Sequence, residues 1–555
     1  MKPTDGNLLI IIPALSSSRV FQDDLLRKIA GMSLIQRTID KAMAMAIAVD
    51  GKPIVLLTDI PEIRLIGDRN KLKTVYSPEK DFLSVWQLVE VVPALRNEQC
   101  SNLIILLLSP YAPLLKLGTL FDALKYFRQH ETADILRPVI IETRRKLRSQ
   151  VGPEWDAPIS DHIIEEYEES LAFTFLKSRV MSDLEKPKPI VINWKAGRDA
   201  AGIERQQDWW VCEKLLLRKR IVFRVVGNPV VGMGHIYRAL ALAHEITDHE
   251  IIFVCDTNNQ TAVNKLTGYD YPLRVFMPDQ IIKGVLDLKP DLLINDILDT
   301  QINDVVSFQK RGARVVNFED LGVGSTYSNV TINELYEQSQ VAGKNILWGK
   351  KYFFVRDEFQ GAKSQRFRKR VNGVLITFGG TDQHNMSRRT YRILREICQK
   401  ESIHLFIVTG PGYAKFSELE REIGPNQNVT LTHATGVISE IMEQVQLAVT
   451  ANGRTVYELA HMNIPAIVVS QHDREQTHEF ANRENGFVPI GLYNDSKLDS
   501  SLLSNFHNLI TNDSERLFLF NAVKRFRFNN NKKRVLRIIL QQLSGGKYTT
   551  NELDL

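Results

Sequence analysis

The sequence predicts an α/β protein with doubly wound, mostly parallel sheets, in which a first domain precedes a module of two lobes. Three observations support this prediction. Apolar runs at 8–13 and 53–59 are continuous rather than alternating, as in strands that are covered on both faces. A helical period at 34–47 separates them, so that strand and helix alternate. The order of strand, glycine loop and helix then begins again at 220–246 and at 372–382.

These restarts set the predicted domain boundaries. Residues 1–217 form the first domain, 218–365 the first lobe of the module, 366–545 its second lobe, and 546–555 a tail. Residues 140–195 are charged, contain four prolines and are predicted to be irregular. Further strands are predicted at 102–110, 250–256, 291–297, 313–320, 404–410, 429–433, 447–452 and 465–471, and further helices at 117–130 and 203–219.

Two doubly wound lobes that face each other across a cleft form the arrangement called GT-B. In such sheets, ligands bind beyond the carboxyl ends of the strands. The sequence therefore predicts a binding site in the cleft between residues 218–365 and 366–545.

Charge and composition narrow the classes of function. The 70 basic and 65 acidic residues give a formal net charge of +5, which is small for 555 residues and argues against a nucleic-acid partner. The four cysteines show no paired spacing, so we expect reduced thiols rather than disulfides or zinc: Cys100, Cys212, Cys255 and Cys398. The apolar run near the N-terminus is too short for a signal peptide core or a membrane span. The expectation is a cytoplasmic protein without a membrane span.

The loop GMGHIYR, from Gly232 to Arg238, follows a predicted strand and opens a predicted helix. Glycines such as Gly232 and Gly234 allow a tight turn and a close approach of a ligand to the backbone. His235 lies near the helix N-terminus, where the dipole favours a neutral imidazole that can accept a proton. The alternative interpretation is a strand–turn–helix connection with an incidental histidine.

The segment ANGRTVYE, from Ala451 to Glu458, has the same design in the second lobe. Backbone N–H groups at the helix start favour an anion such as a diphosphate, and Glu458 one turn later could accept hydrogen bonds from ribose hydroxyls. The alternative is that Asn452 and Thr455 only cap the helix. A third glycine turn, FGGTD, contributes Gly379, Gly380 and Thr381.

The segment from about 220 to 500 resembles the UDP-sugar hydrolases of pseudaminic acid biosynthesis, relatives of the lipid-linked GT-B glycosyltransferases. The resemblance lies in GMGHIYR, WGKKYFFVRDEF at 348–359, FGGTD, and ANGRTVYELAHMNIPAIVVSQ with the later pair Glu475–Gln476. It implies that water displaces UDP from the anomeric carbon of a 2,4-diacetamido-trideoxyhexose without a cofactor. The implied catalytic residues are His235 as base and Asp296, which orients the sugar or assists His235. The implied binding residues are Gly232, Gly234, Arg238, Gly379, Gly380, Thr381, Asn452, Gly453, Arg454, Thr455, Glu458 and Gln476.

Two departures from that family keep other functions open. Asn452, Gly453 and Arg454 stand where the family has two glycines and a serine, and Ile297 and Leu298 stand where an Asp-His-Tyr stretch continues after Asp296. A GT-B glycosyltransferase that uses a UDP-sugar is the first alternative. A non-catalytic scaffold that binds a sugar nucleotide is the second.

The first domain resembles the cytidylyltransferases that make CMP-activated sugar acids of the sialic or pseudaminic type, which have a GT-A-type nucleotidyltransferase fold. IIIPALSSSR, IAGMSLIQRTIDKA, LLTD and LLLSPYAPLL carry this resemblance. It implies a nucleotide site at Ser16, Ser17, Ser18, Arg19 and Ser109, and Mg²⁺ ligands at Glu204 and Asp208.

The first domain also departs from its family. Leu15 stands where the family has an arginine, and one metal-binding carboxylate is missing. Two interpretations follow: an active domain that uses CTP, Mg²⁺ and a nonulosonic acid, or a degenerate domain that serves docking, regulation or homodimerisation. In either case the two resemblances together place the chain in nonulosonic acid biosynthesis.

Overall fold

The computed structural model describes residues 8–16, 20–21, 23–49, 53–76, 103–145, 163–180 and 188–544. Contacts within the chain divide it into two units, Met1–Arg218 and Lys219–Leu555. Both units are of the α/β class, with strands that alternate with helices.

The first unit contains one large mixed sheet and a separate two-stranded sheet. Its strands are β1 (Leu8–Ala14), β2 (Lys28–Ile29), β3 (Met32–Ser33), β4 (Val55–Thr58), β5 (Lys73–Tyr76), β6 (Ile104–Leu108), β7 (Ile135–Arg145), β8 (Ile163–Glu169), β9 (Phe173–Lys177) and β10 (Val191–Lys195). Its helices are α1 (Leu34–Val49), α2 (Pro61–Arg69), α3 (Leu117–Gln129) and α4 (Gln206–Leu217). The order is β10-β7-β9-β6-β1-β4-β5, with β8 beside β7 and with β2 and β3 paired separately. Strands β6, β1, β4 and β5 are parallel, whereas β9 runs antiparallel to both β6 and β7.

The prediction of irregular structure at 140–195 is wrong for the described part of that region. Strand β7 extends to Arg145 and pairs with β8 in an antiparallel ladder, and β9 and β10 follow. The sequence pattern does not indicate β8, because its sequence IIEEYEE contains four carboxylates. Such a strand lacks the apolar run by which the buried strands were recognised.

The first lobe of the second unit is a parallel sheet of seven strands. These are β11 (Arg220–Val225), β12 (Glu250–Asp256), β13 (Leu273–Phe276), β14 (Leu292–Asp296), β15 (Arg314–Phe318), β16 (Val330–Asn333) and β17 (Ile346–Trp348), in the order β13-β12-β11-β14-β15-β16-β17. Its helices are α5 (Gly234–Ala243), α6 (Gln260–Leu266), α7 (Ile281–Asp287) and α8 (Asn303–Gln309). The chain reverses its direction across the sheet between β13 and β14, so the crevice lies beyond β11 and β14.

The second lobe repeats this topology. Its strands are β18 (Gly373–Thr377), β19 (His404–Thr409), β20 (Val429–His433), β21 (Leu447–Ala451), β22 (Ala466–Ser470) and β23 (Phe487–Leu492), in the order β20-β19-β18-β21-β22-β23. Its helices are α9 (Met386–Lys400), α10 (Phe416–Ile423), α11 (Ile438–Met442), α12 (Arg454–His461), α13 (Asp473–Gln476), α14 (Leu498–Thr511) and α15 (Asp513–Val523). Strands β18, β21 and β22 are buried at every position, which explains their continuous apolar sequences.

The last helix, α16 (Asn531–Gln541), packs on the first lobe rather than on the second. Its Val535, Ile538 and Ile539 belong to the same buried cluster as Ile221 and Phe223. The predicted second lobe, 366–545, therefore runs one helix too far. The periodicity of α16 predicts an apolar face, but it does not say which lobe that face covers.

No helix in the described part of the chain combines the length and the apolar character that a bilayer crossing needs.

Candidate active site in the cleft of the second unit

A cavity of about 640 Å³ lies between the two lobes of the second unit. Its volume is within the range of small-molecule sites in proteins. Residues that follow strand ends line it, as the topology predicts: Gly232, Gly234, Leu298, Glu319, Tyr336 and Arg356 from the first lobe, and Gly379, Gly380, Thr381, Gly453, Arg454, Thr455, Glu458, Arg474, Glu475 and His478 from the second.

The glycine loop after β11 places His235 at the start of α5. Gly232 has a φ of +84°, a left-handed conformation that glycine adopts without strain, and the helix begins two residues later at Gly234. His235 is only 4% exposed and is not itself among the residues that line the cavity, although Gly234 and Glu319 beside it are.

His235 forms a buried pair with Asp296, the last residue of β14. Its Nδ1 lies 2.5 Å from Asp296 Oδ1. Burial alone would raise the pKa of Asp296, but the positive charge of Arg238 and hydrogen bonds from its guanidinium hold that pKa below its usual value. An ionised carboxylate such as Asp296 can only accept hydrogen bonds. The Nδ1 of His235 therefore carries the hydrogen, and its Nε2 carries the lone pair. No partner of Nε2 is found among the described residues.

Arg238 connects three carboxylates beneath the cavity. Its Nε donates to Asp296 Oδ2 at 2.8 Å, and its Nη1 donates to Glu319 Oε1 at 2.9 Å and to Glu334 Oε1 at 2.8 Å. Burial would raise the pKa of Glu319, but the charge of Arg238 lowers it strongly. Arg238 was predicted to bind the nucleotide, yet it does not line the cavity. The structure makes it part of the support of His235.

Arg454 reaches across the cleft from the second lobe. Its Nη1 pairs with Glu334 Oε1, and its Nη2 donates to the carbonyl oxygen of Phe354 at 3.2 Å. Its guanidinium lies over the ring of Phe353 at 4.6 Å. Burial, together with the neighbouring charge of Arg238, lowers the pKa of Arg454 to about 10. Arg454, which is predicted to bind the diphosphate, is thus already paired with a carboxylate.

The loop before α12 divides its predicted residues between two roles. Gly453 and Thr455 line the cavity, whereas Asn452 is buried and does not. Asn452 Nδ2 donates to the carbonyl oxygens of Glu475, at 2.7 Å, and His478, at 3.1 Å. Asn452 therefore braces the loop after β22 instead of facing the predicted ligand.

Glu458 lines the cavity one turn into α12 and is 6% exposed. Its Oε1 accepts a hydrogen bond from Arg356 Nε at 3.0 Å, and Arg356 also pairs with Glu358. This contact fixes the orientation of the carboxylate and leaves Oε2 as an acceptor for a ligand hydroxyl.

The segment after β22 places different residues at the cavity from those predicted. Gln476 is exposed and lies outside the lining, whereas Arg474 and Glu475 line it. Glu475 Oε2 accepts a hydrogen bond from the backbone N–H of Gln471 at 2.7 Å, and burial raises the pKa of Glu475 to about 7. Arg474 crosses the cleft, with Nη1 donating to Asp299 Oδ1 at 2.9 Å and Nη2 to the carbonyl oxygen of Glu319 at 2.7 Å.

Gly379, Gly380 and Thr381 all line the cavity, as the third glycine turn predicts. A Cβ atom on Gly380 would lie 3.2 Å from the backbone nitrogen of Met233, so the two lobes approach closely here. Asp382, the next residue, accepts hydrogen bonds from Met386 and Ser387 at the start of α9. Its carboxylate supports the helix and is not a cavity group.

Sequence reasoning missed several residues of this site, among them Glu319, Glu334, Tyr336, Arg356 and Arg474. A signal was available for two of them. Glu319 and Glu334 each follow directly after a strand, β15 and β16, at the edge of the sheet where His235 lies. Charged residues at that edge are candidates for the site even without a recognisable motif.

The predicted nucleotide site of the first unit has an acidic character. Ser16 donates its backbone N–H to Asp59 Oδ1 at 2.7 Å, and its hydroxyl also bonds to Asp59. A cavity of about 210 Å³ next to it is lined by Asp23, Asp24, Asp59 and Glu62. Ser17, Ser18 and Arg19 lie outside the described residues. Ser109 accepts a hydrogen bond from the backbone N–H of Tyr111 at 3.3 Å.

Of the two predicted metal ligands in the first unit, Asp208 serves a helix terminus. Asp208 Oδ2 accepts the backbone N–H groups of Glu204, at 3.1 Å, and Arg205, at 2.8 Å, at the start of α4. The Glu204 side chain is exposed. Across the described ranges, no group of three or more His, Cys, Asp or Glu side chains is arranged to hold a metal ion.

Three curated proteins are similar to this chain. An uncharacterized protein of Methanocaldococcus jannaschii is 24% identical over 45% of this chain and 55% of its own length. The spore coat polysaccharide biosynthesis protein SpsG of Bacillus subtilis is 22% identical over 46% of this chain and 79% of its own length. The UDP-2,4-diacetamido-2,4,6-trideoxy-beta-L-altropyranose hydrolase of Campylobacter jejuni is 24% identical over 45% of this chain and 91% of its own length. The chain thus spans about half the length of the first of these relatives.

Solved structures to which part of the chain is similar include MurG of Acinetobacter baumannii, with 13% identity, a TM-score of 0.44, and coverage of 58% of this chain and 99% of that one. Another is Alr3699/HepE of Anabaena in complex with UDP and glucose, with 12% identity, a TM-score of 0.39, and coverage of 59% and 100%. No protein-family model matches the chain.

Proposed function

We propose that the second unit binds a UDP-sugar in its cleft and hydrolyses it to UDP and the free sugar, with His235 as the general base. The observation that carries this proposal is the His235–Asp296 pair, with its 2.5 Å contact, beneath a cavity that also contains a helix N-terminus and a carboxylate. The name of the Campylobacter jejuni relative supports hydrolysis, and the name of the Bacillus subtilis relative supports a role in polysaccharide biosynthesis.

The base step uses the nitrogen that Asp296 leaves free. As water attacks the anomeric carbon, its proton passes to His235 Nε2 and the bond from that carbon to the phosphate oxygen breaks, so that UDP leaves with the electron pair. His235 belongs to a cluster with two arginines and three carboxylates, which are connected by ion pairs: Arg238, Arg454, Asp296, Glu319 and Glu334. With a neutral imidazole this cluster has a formal charge of −1, and uptake of the proton brings it to zero. The imidazolium formed in the reaction is therefore stabilised by its surroundings.

The diphosphate faces backbone groups rather than a free cation. The lining arginines Arg356, Arg454 and Arg474 are each paired with a carboxylate. The N-terminus of α12 at Gly453–Thr455 supplies N–H groups and the positive end of a helix dipole. Glu458, held by Arg356, accepts the ribose hydroxyls.

The substrate we propose is a UDP-2,4-diacetamido-2,4,6-trideoxyhexose, in the biosynthesis of a nonulosonic acid for a surface glycan. This assignment rests on the sequence resemblance and on the Campylobacter jejuni relative. For the first unit we propose a docking or regulatory role rather than cytidylyl transfer. Four carboxylates line its cavity, and Asp59 occupies a backbone N–H group that a phosphate would use.

A UDP-release assay without an acceptor tests the proposal. The wild-type protein is compared with His235→Gln and with His244→Gln, a matched control on an exposed residue that follows the same helix. We expect UDP and free sugar from the wild type and from His244→Gln, and a loss of about 100-fold or more in His235→Gln, since positioned bases contribute factors of this size. Unchanged turnover in His235→Gln would remove the base assignment. UDP release that requires an added acceptor would identify a glycosyltransferase instead.

Equilibrium binding of CTP with Mg²⁺ tests the assignment of the first unit. Calorimetry with the full chain should show no CTP binding at millimolar concentration. Binding that Asp59→Asn strengthens would support a weakened nucleotide site, and tight binding to the wild type would restore the cytidylyltransferase interpretation.

A further inference from the structure

A continuous series of buried polar contacts joins the two sides of the cleft. Arg454, the first residue of α12, pairs with Glu334 Oε1, which also accepts a hydrogen bond from Arg238 Nη1 at 2.8 Å. Arg238 holds Asp296, and Asp296 holds His235. The expected diphosphate loop of one lobe and the expected base of the other are thus connected through four contacts.

Arg454 also contacts the beginning of the helix that carries His235. A Cβ atom on Gly234 would lie 3.1 Å from Arg454 Cδ. The absence of a side chain at Gly234 therefore gives the arginine stem its space. This contact is independent of the ion pair, because it involves the aliphatic part of Arg454 and the backbone of α5.

The environment of Glu334 keeps Arg454 in place. Glu334 is fully buried, and its Oε2 has no hydrogen-bond partner among the residues that the structure describes. If Arg454 turned away toward a phosphate, this carboxylate would keep only Arg238, which already serves two other carboxylates. Removing one partner of a buried ion pair is strongly unfavourable, so the pair persists when the cleft is occupied.

We infer that Arg454 is a positioning residue, which couples the occupied diphosphate loop to His235 through Glu334 and Arg238 and through its packing on Gly234. The inference rests on the proposed function, because it assigns the diphosphate to Gly453–Thr455 and the base to His235. A diphosphate at this loop restrains the start of α12, and Arg454, which stays paired with Glu334, transmits this restraint to the first lobe. The restraint passes through Glu334, Arg238 and Asp296, whose arrangement orients the imidazole.

Separate measurement of turnover and of UDP affinity tests this role. Arg454→Met keeps the length of the side chain without its charge, Arg454→Lys restores the charge, and Arg389→Met is a control for an exposed ion pair in the same lobe. We expect kcat to fall about tenfold or more in Arg454→Met, with UDP affinity within about threefold of wild type and partial recovery in Arg454→Lys. A UDP affinity weakened about tenfold with kcat retained would make Arg454 a diphosphate ligand and overturn the inference.

A double-mutant cycle tests the contact with Gly234. The added methyl group of Gly234→Ala displaces Arg454, so we expect kcat to fall in that variant. Combined with Arg454→Ala, which removes the clashing stem, Gly234→Ala should cost no further activity. Additive losses in the double variant would show that Gly234 acts independently of Arg454, contrary to the inference.

An NMR measurement separates this inference from the proposed function. In protein labelled with ¹⁵N-histidine, the ring signals of His235 are assigned with His235→Gln, and UDP is then added. We expect UDP to shift these signals in the wild type but not in Arg454→Met, although both bind UDP. A shift of equal size in both proteins overturns the coupling even if hydrolysis is established. If the wild type binds UDP and shows the shift but releases none from the UDP-sugar, hydrolysis fails and the coupling stands. If it binds no UDP, both fail.

Discussion

Asp296 Oδ1 lies 2.5 Å from His235 Nδ1, although 61 positions separate the two residues in the chain. The parallel pairing of β11 with β14 explains this proximity, because it places Asp296 opposite Val225 at the same edge of the sheet. The glycine loop that follows β11 then returns His235 to that edge. The pairing register of β11 and β14 thus determines how the imidazole is oriented.

Asp296→Asn should reduce kcat about 100-fold, because a neutral amide neither selects the tautomer nor stabilises the imidazolium. It should also lower the free energy of unfolding by about 3 kcal/mol, since Arg238 loses a buried partner. Asp304→Asn is the control, because Asp304 forms a partly buried ion pair with Arg224 in the same lobe, in which 12% and 14% of the two side chains are exposed. UDP-release kinetics and urea unfolding check both effects. Equal loss of activity in the two variants would trace the effect to stability alone.

Glu458→Gln should weaken the binding of UDP about tenfold and that of dUDP much less, because a charged hydrogen bond to the ribose 2′-hydroxyl is lost only for UDP. Calorimetric titration of both nucleotides measures the ratio of their affinities. Glu418→Gln, at an exposed ion pair of the second lobe, should leave the ratio unchanged. A wild-type protein that binds UDP and dUDP equally would contradict the ribose assignment.

Glu475 should make stability depend on pH. Burial raises its pKa from 4.5 to about 7, so the folded protein holds a proton that the unfolded chain releases between these values. This contribution is complete below pH 4.5 and is lost as the pH rises to about 7. Glu475→Gln, which cannot ionise, should therefore be more stable than wild type above pH 7 by on the order of 3 kcal/mol, and equally stable at pH 4.5.

Urea-unfolding midpoints of wild type and Glu475→Gln between pH 4.5 and pH 8 check this dependence. Glu418→Gln serves again as the exposed control, and its midpoints should follow those of wild type at each pH. Parallel curves for wild type and Glu475→Gln would mean that Glu475 ionises normally in the folded protein.

Ile538→Ala should destabilise the first lobe, although residue 538 lies far beyond it in the sequence. Ile538 is fully buried in the cluster of Ile221 and Phe223, so its truncation should cost about 2–4 kcal/mol. Lys533→Ala on the same helix is exposed and should cost less than about 0.5 kcal/mol. Urea unfolding distinguishes the two. Similar midpoints would argue that α16 is not held on the first lobe in solution.

The sequence was sufficient where a strand is buried on both faces. The runs predicted at 447–452 and 465–471 correspond to β21 and β22, because continuous apolar sequence follows directly from burial. It was insufficient for β8, whose charged sequence conceals a strand paired on the edge of a mixed sheet. It also could not assign α16 to a lobe, because an amphipathic pattern does not indicate the surface on which the helix packs.

The candidate site shows the same limit. His235, Gly453 and Glu458 lie in glycine-loop motifs with local spacing, and the structure brings them to one cleft. Glu334 does not lie in a recognisable motif, because its role depends on Arg238 and Arg454, which are 96 and 120 positions away. Contacts of this kind arise from the register of two sheets and from the closure of two lobes. A linear pattern contains neither.

The chain passes between the lobes of the second unit twice, and the two passages lie side by side. Asn531 Nδ2, at the start of α16, donates to the carbonyl oxygens of Lys350, at 3.1 Å, and Phe353, at 2.7 Å. Asn531 thus fastens the returning chain to the end of the first lobe, next to the point where the chain first leaves it. The C-terminal helix therefore acts as a strap, and the second lobe is tied to the first at both of its ends.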